Sequence, residues 1–177
     1  LDVVQKVSPH MPPEQQRDVA RAVGIGAVKY ADLSQNPQSL VTFTWEKALA
    51  LEGNSAPYLQ YACARIASVR EKYVDRFPEG RPEEHPLVLA EPLERRLALW
   101  LARFPDVILK AASSCRPNML ADYLFDTAQI YSAFYQNIPF LKAEEGVRES
   151  RVRLCELTAG ILRKGLDLLG IEAPERI

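Results

Sequence analysis

Apolar residues recur along almost the whole chain at helical rather than strand spacing. The clearest run covers residues 55–76, where Leu59, Ala62, Ile66, Val69 and Tyr73 fall at i, i+3 and i+7 offsets and predict one buried stripe. Ser55 supplies an N-cap oxygen, and Pro57 sits in the first turn, where its missing N–H is no loss. Leu93, Leu97, Trp100, Leu101 and Phe104 predict a second helix, and Val107, Ile108, Ala111 and Ala112 a third after Pro105. A long helix over 118–135 turns Leu120, Leu124, Ala128 and Tyr131 inward. The last, over 147–169, runs through Val152, Cys155, Ala159, Leu162, Leu166 and Leu169 and is closed by Gly170. Toward the N-terminus, Pro12 and Pro13 open a helix carrying Val19, Ala20 and Val23, which Gly24 is expected to end. A short helix through Ala27, Val28 and Tyr30 then stops at Ser34-Gln35-Asn36-Pro37. Only Val41-Thr42-Phe43 alternates as a strand would, and it is short. The pattern predicts an all-α helical bundle of about five helices behind a short helical N-terminal appendage.

With 177 residues, 47% of them hydrophobic and 25% charged, the chain can bury a sizeable core and is not compositionally disordered. Lys and Arg number 22 against 23 Asp and Glu, and the net charge of -1 excludes a polycationic arm. Any RNA or DNA partner must be held by a local patch. Cys63, Cys115 and Cys155 are odd in number and widely separated, so they are expected as small core residues in a reducing cytoplasm. No uncharged apolar run approaches the roughly 18 residues of a membrane span, and no signal-peptide pattern opens the chain, which predicts a soluble protein without a membrane partner. The start at Leu1, inside an amphipathic stretch, leads us to expect a piece of a longer polypeptide. Residues 79–94 carry Pro82, Pro86 and Pro92 and the carboxylates Glu79, Glu83, Glu84, Glu91 and Glu94 against Arg81, and read as an exposed acidic connection unsuited to RNA.

Candidate chemistry is sparse. Gly24-Ile25-Gly26 lacks a preceding strand, a third glycine at dinucleotide spacing and a Gly-Lys-Ser/Thr, so it reads as a helix break rather than a phosphate cradle. His10 and His85 stand beside prolines with no ligand at metal-binding spacing, and Glu83-Glu84 and Glu144-Glu145 read as solvated carboxylates. What departs from plain scaffold is the face carrying Tyr58, Tyr61 and Arg65, about 80° round the helix from the centre of its apolar stripe. No acid lies between Tyr58 and Arg70, so Arg65 and Arg70 give a local positive charge. Flat rings beside a guanidinium suit single-stranded RNA. The same spacing equally suits amphipathic tyrosines covering a core edge with their hydroxyls in water. Likewise Phe134-Tyr135 pairs a core position with a second candidate stacking ring. Spacing alone leaves both readings open.

Longer runs of residues narrow the choice. Residues 24–34, Gly-Ile-Gly-Ala-Val-Lys-Tyr-Ala-Asp-Leu-Ser, and 52–66, beginning Glu-Gly-Asn-Ser-Ala-Pro-Tyr-Leu-Gln-Tyr, resemble the C-terminal half of arginyl-tRNA synthetases. Phe134-Tyr135 followed by Pro139, then residues 165–171 and the ending Pro174-Glu175-Arg176-Ile177, are similar to the rest of that family's DALR-type anticodon-binding domain. The resemblance implies a helical bundle of the class Ia synthetase type over 37–177, with 1–36 as the end of the catalytic region and connecting helices. It implies that Tyr58, Tyr61 and Arg65 contact the anticodon loop of arginine tRNA, that Tyr135 sits near it, and that the chain end shapes the pocket. The family usually ends in Met where this chain has Ile177.

The resemblance also implies a cytoplasmic parent ligase that uses ATP, with Mg, to form an arginyl adenylate. Its His-x-Gly-His and Lys-Met-Ser-Lys motifs are absent from this chain, so no cofactor and no adenylation are expected of it alone. The implied partners are arginine tRNA, through its anticodon stem and loop, and the catalytic and N-terminal domains of the same polypeptide, with neither membrane nor DNA. The alternative is a helical protein-interaction module without RNA binding. An autonomous enzyme has only the glycine pair behind it.

Overall fold

A computed structural model describes residue 1, residues 4–5 and residues 8–177, so residues 2, 3, 6 and 7 of the expected appendage over 1–36 lie outside the described residues. In chain order the helices are α1 (Pro13–Leu33), α2 (Trp45–Ala48), α3 (Ala56–Arg76), a 3-10 turn (Pro82–Glu84), α4 (Pro92–Leu101), α5 (Phe104–Ser114), α6 (Asn118–Asn137) and α7 (Val147–Leu168). No strand occurs among the described residues, and residues 40–44 run without regular structure. No helix there is long and apolar enough to cross a membrane.

The predicted break at Gly24 does not occur: α1 is one helix through both glycines. An interior glycine costs about 1 kcal/mol, and the buried stripe of Val19, Ala22, Val23, Ala27 and Tyr30 outweighs it. Gly26 is moreover where the neighbours come closest, since a Cβ there would lie 3.0 Å from both Gln60 Nε2 and Ile171 Cγ2. The Tyr30 hydroxyl, 2.6 Å from Asn54 Oδ1 and 3.0 Å from the Ala121 carbonyl, ties α1 to the turn before α3 and to α6.

Helix α3 begins as its sequence predicts. Ser55 Oγ accepts the Tyr58 N–H at 3.3 Å and donates to the Ala50 carbonyl at 2.5 Å. Its stripe packs against α1, α6 and α7. Leu59, Cys63 and Ile66 join Leu124, Phe134, Leu162 and Leu166 in the main core. Helices α6 and α7 approach closely at Gly165, where a Cβ would meet Leu124 Cδ2 at 2.4 Å. Gly170, at φ +68°, ends the last turn in the left-handed region that glycine adopts without strain, and its carbonyl accepts Lys29 Nζ of α1.

The acidic connection is less free than expected. Ser150 Oγ of α7 accepts the Val88 N–H at 2.7 Å, and Arg153 Nη1 donates to the His85 carbonyl at 2.8 Å. Glu79, Glu83, Glu84 and Glu91 are exposed, but Glu94 is buried. It accepts Arg151 Nε at 2.6 Å and the Glu91 N–H at 2.8 Å, while Arg151 Nη1 donates to the Pro139 carbonyl at 2.8 Å. A buried charge needs such partners, and the one that serves Glu94 lies 57 residues away in sequence. The cysteines also divide: Cys63 and Cys155 are core residues, whereas Cys115 is exposed, capping α5 in the left-handed conformation at φ 53°. Cys115, at the C-terminal end of α5, thus departs from the expected core position.

Candidate nucleic-acid interface

Tyr58, Tyr61 and Arg65 lie half-buried along one side of α3. The Arg65 guanidinium carbon stands 4.9 Å from the centroid of the Tyr61 ring and 5.4 Å from that of Tyr135, which α6 brings to the same place. Tyr135 is backed by Phe140 at 5.6 Å and Tyr131 at 6.1 Å, so its ring is held by the core from behind. Tyr58 meets Phe125 edge-on at 5.9 Å. Burial pushes the Tyr58 hydroxyl above its usual value, with Arg65 pulling the other way, so this hydroxyl stays protonated at neutral pH.

Two clefts open on either side of this cation–aromatic wall. One, of about 440 Å³, is lined by Tyr58, Tyr61 and Arg65 with Glu52, Ser132 and Gln136. The other, of about 590 Å³, is lined by Tyr61 and Arg65 with His10, Glu71, Arg176 and Ile177. Tyr61 and Arg65 therefore face both clefts, and Tyr135 lines neither but stacks on the cation between them. The chain end is brought in by three contacts. Gln60 Nε2, fully buried, donates to the Glu172 carbonyl at 2.6 Å and to the Ala22 carbonyl at 3.3 Å. Arg176 pairs with Glu71 at 2.9 Å. Ile177 packs against a small second core of Val4, Val19 and Val23.

All five residues singled out from the sequence thus cluster, but their electrostatics differ from expectation. Arg70 turns to α7 and pairs with Glu156 at 3.2 Å, because its position on α3 faces that helix; of the two arginines expected there, only Arg65 lies at the wall. Sequence reasoning also missed Glu52, Glu71, Ser132, Gln136 and His10. Gln136 and Ser132 lie close to Tyr135 on α6 and could have been found from it. His10 and Glu52 reach the clefts from other segments, with no spacing signal. Among the described residues, no three His, Cys, Asp or Glu side chains converge as metal ligands.

The DALR anticodon binding domain family matches residues 59–177. The arginine–tRNA ligase of Laribacter hongkongensis is 48% identical over 173 residues, covering 98% of this chain and 29% of that protein. That of Chromobacterium violaceum is 47% identical over 173 residues, with the same coverage of 98% and 29%. The solved arginyl-tRNA synthetase of Thermus thermophilus has the same fold at a TM-score of 0.90 and 36% identity, over 99% of this chain and 30% of that one. The chain therefore belongs to the DALR anticodon-binding domain family. It spans about 30% of the length of the relatives it matches.

Proposed function

We propose that this chain grips the anticodon stem and loop of arginine tRNA as the C-terminal part of an arginine–tRNA ligase. Tyr58 and Tyr61 offer ring faces to unpaired loop bases, and Tyr135 sits near the loop, supporting Arg65. Arg65 offers a planar cation to a base edge or phosphate, and the chain end at Ile177 shapes the loop pocket. The observation that carries this reading is the stack of Arg65 with Tyr61 and Tyr135 between two clefts. Single-stranded nucleic acid is bound through ring faces and guanidinium planes of this kind. Relatives bearing the name arginine–tRNA ligase match nearly the whole chain.

On this reading residues 37–177 are the RNA-binding bundle, and 1–36 couple it to a catalytic region that uses ATP with Mg to activate arginine. The protein works in the cytoplasm, on RNA rather than DNA or membrane. The chain alone, lacking the synthetase signature motifs, forms no adenylate.

The test is a binding titration with arginine tRNA and with the same tRNA replaced at its middle anticodon base, each at low and moderate salt. We expect tighter, salt-sensitive binding to the unaltered tRNA. Tyr61→Ala should cost about 1–3 kcal/mol, the usual loss of a stacked base. Unchanged affinity in that variant would remove Tyr61 from the site. Absence of salt-sensitive RNA binding would overturn the whole reading in favour of a protein-interaction module.

A further inference from the structure

Beyond Tyr135 the surface changes character. A third cleft, of about 600 Å³, runs between the last turns of α3 and the segment that follows α6. Lys72 and Arg76 line it from α3, one helical turn apart, and Lys142 lines it from the other side, with the amides of Gln136 and Asn137 between them. No carboxylate lines this cleft. All three cations are exposed, and among the described residues none is paired with an acid. The two clefts beside Arg65 differ in this respect: one contains Glu52, the other Glu71 and Glu175. In a chain of net charge -1, three unpaired cations around one groove are a local concentration of positive charge.

Part of that charge has a structural use. The C-terminal end of a helix carries about half a negative charge, which cations in its last turn offset. The groove lies at the ends of α3 and α6, so the two helices together account for about one of the three positive charges. The remainder faces solvent. Its position is also specific, because Tyr135 both lines this groove and stacks on Arg65. The groove therefore adjoins the aromatic wall through Tyr135.

We propose that this groove holds the sugar–phosphate backbone of the bound RNA, with Lys72, Arg76 and Lys142 each set against a phosphate. The inference rests on the RNA reading above and divides the surface in two. The wall of Tyr61, Arg65 and Tyr135 reads bases, and the groove positions the strand without regard to sequence.

The experiment uses the whole 177-residue chain, with arginine tRNA and its anticodon-replaced counterpart as probes, over a salt series. Lys142→Gln, and the triple replacement of Lys72, Arg76 and Lys142 by Gln, are compared with the unaltered chain. Each phosphate contact on a single strand contributes about 0.7 to the slope of log affinity against log salt. Lys142→Gln should lower the slope by that amount and weaken both RNAs by the same factor, about fivefold at 0.1 M salt. The triple variant should lower the slope by about 2 and weaken both about a hundredfold. Lys142→Arg, which keeps the charge, should restore binding.

An unchanged slope in the triple variant overturns the proposal while leaving the RNA reading intact. So does a loss confined to the unaltered tRNA, which would place these side chains among base-reading groups. If the unaltered chain binds neither RNA, the RNA reading fails, and the groove proposal fails with it.

Discussion

At the scale of single residues, the planar cation of Arg65 covers two rings at once. A lysine ammonium keeps the charge but cannot lie flat against both. Arg65→Lys should therefore weaken RNA binding by about 1 kcal/mol, roughly fivefold, with the salt slope preserved. The same titration checks it, and an undiminished affinity would show that charge alone matters there. That Tyr58, Tyr61 and Arg65 share a face was legible in the sequence, because one helix with a clear stripe fixes the angle between them. That Tyr135 stacks on Arg65 was not, since it depends on how α6 lies against α3. Nor was the loss of Arg70 to Glu156, for the partner sits 86 residues further along the chain. Tyr135 was a candidate stacking ring from its place at the end of its helix, while Ile177 entered the candidate site only through the resemblance to a known family.

At the scale of elements, two close approaches hold the helices in register. Gly165 leaves no room beside the fully buried Leu124. Gly165→Ala should destabilise the fold by about 1–2 kcal/mol, the cost of overpacking less the gain in helix propensity. Urea unfolding measures this, and a stabilised variant would mean that Leu124 can move aside. Gln60 acts differently, joining α1 and the tail to α3 through its two donor bonds. Gln60→Met removes both, so amide exchange over residues 171–177 should accelerate well before global unfolding. Exchange at the unaltered rate there would show that Arg176 and Ile177 suffice to hold the tail. The long helices were readable from their stripes and caps, α3 most fully, whereas the four-residue α2 (Trp45–Ala48) was too short to show a stripe and was missed. The continuity of α1 was not readable, because the local preference of glycine points to a break, and the burial of the stripe from Val19 to Tyr30 reverses it.

At the scale of the whole molecule, acid stability turns on Glu149, at the start of α7. Burial alone would raise its pKa, but the N–H groups of Glu149 and Gly146, with Arg148 and Tyr73, hold the charged form and bring the carboxyl below its usual value. Gly146 N–H lies at 2.6 Å, Arg148 Nε at 2.8 Å and the Tyr73 hydroxyl at 3.0 Å. A group with a depressed folded pKa stabilises the protein above its unfolded value, near 4.5, and loses that contribution as pH falls through the folded one. Glu149→Gln should cost about 1–3 kcal/mol at pH 7. The gap from the unaltered chain should close progressively below pH 4.5. Unfolding curves at several pH values measure it, and a gap independent of pH would contradict the assignment. Asp122 and Glu156 oppose the trend, since burial raises both and their protonation in acid relieves the fold.

The uneven placement of the cysteines has a practical side. Burial pushes the thiols of Cys63 and Cys155 up to about 12, which leaves them almost without thiolate at neutral pH. Cys115 stands exposed at the end of α5 and lines none of the three clefts beside Tyr61, Arg65 and Tyr135. A maleimide dye should therefore attach at this one position in the unmutated chain, and a fluorophore there would test RNA association from outside the surface proposed to make the contact.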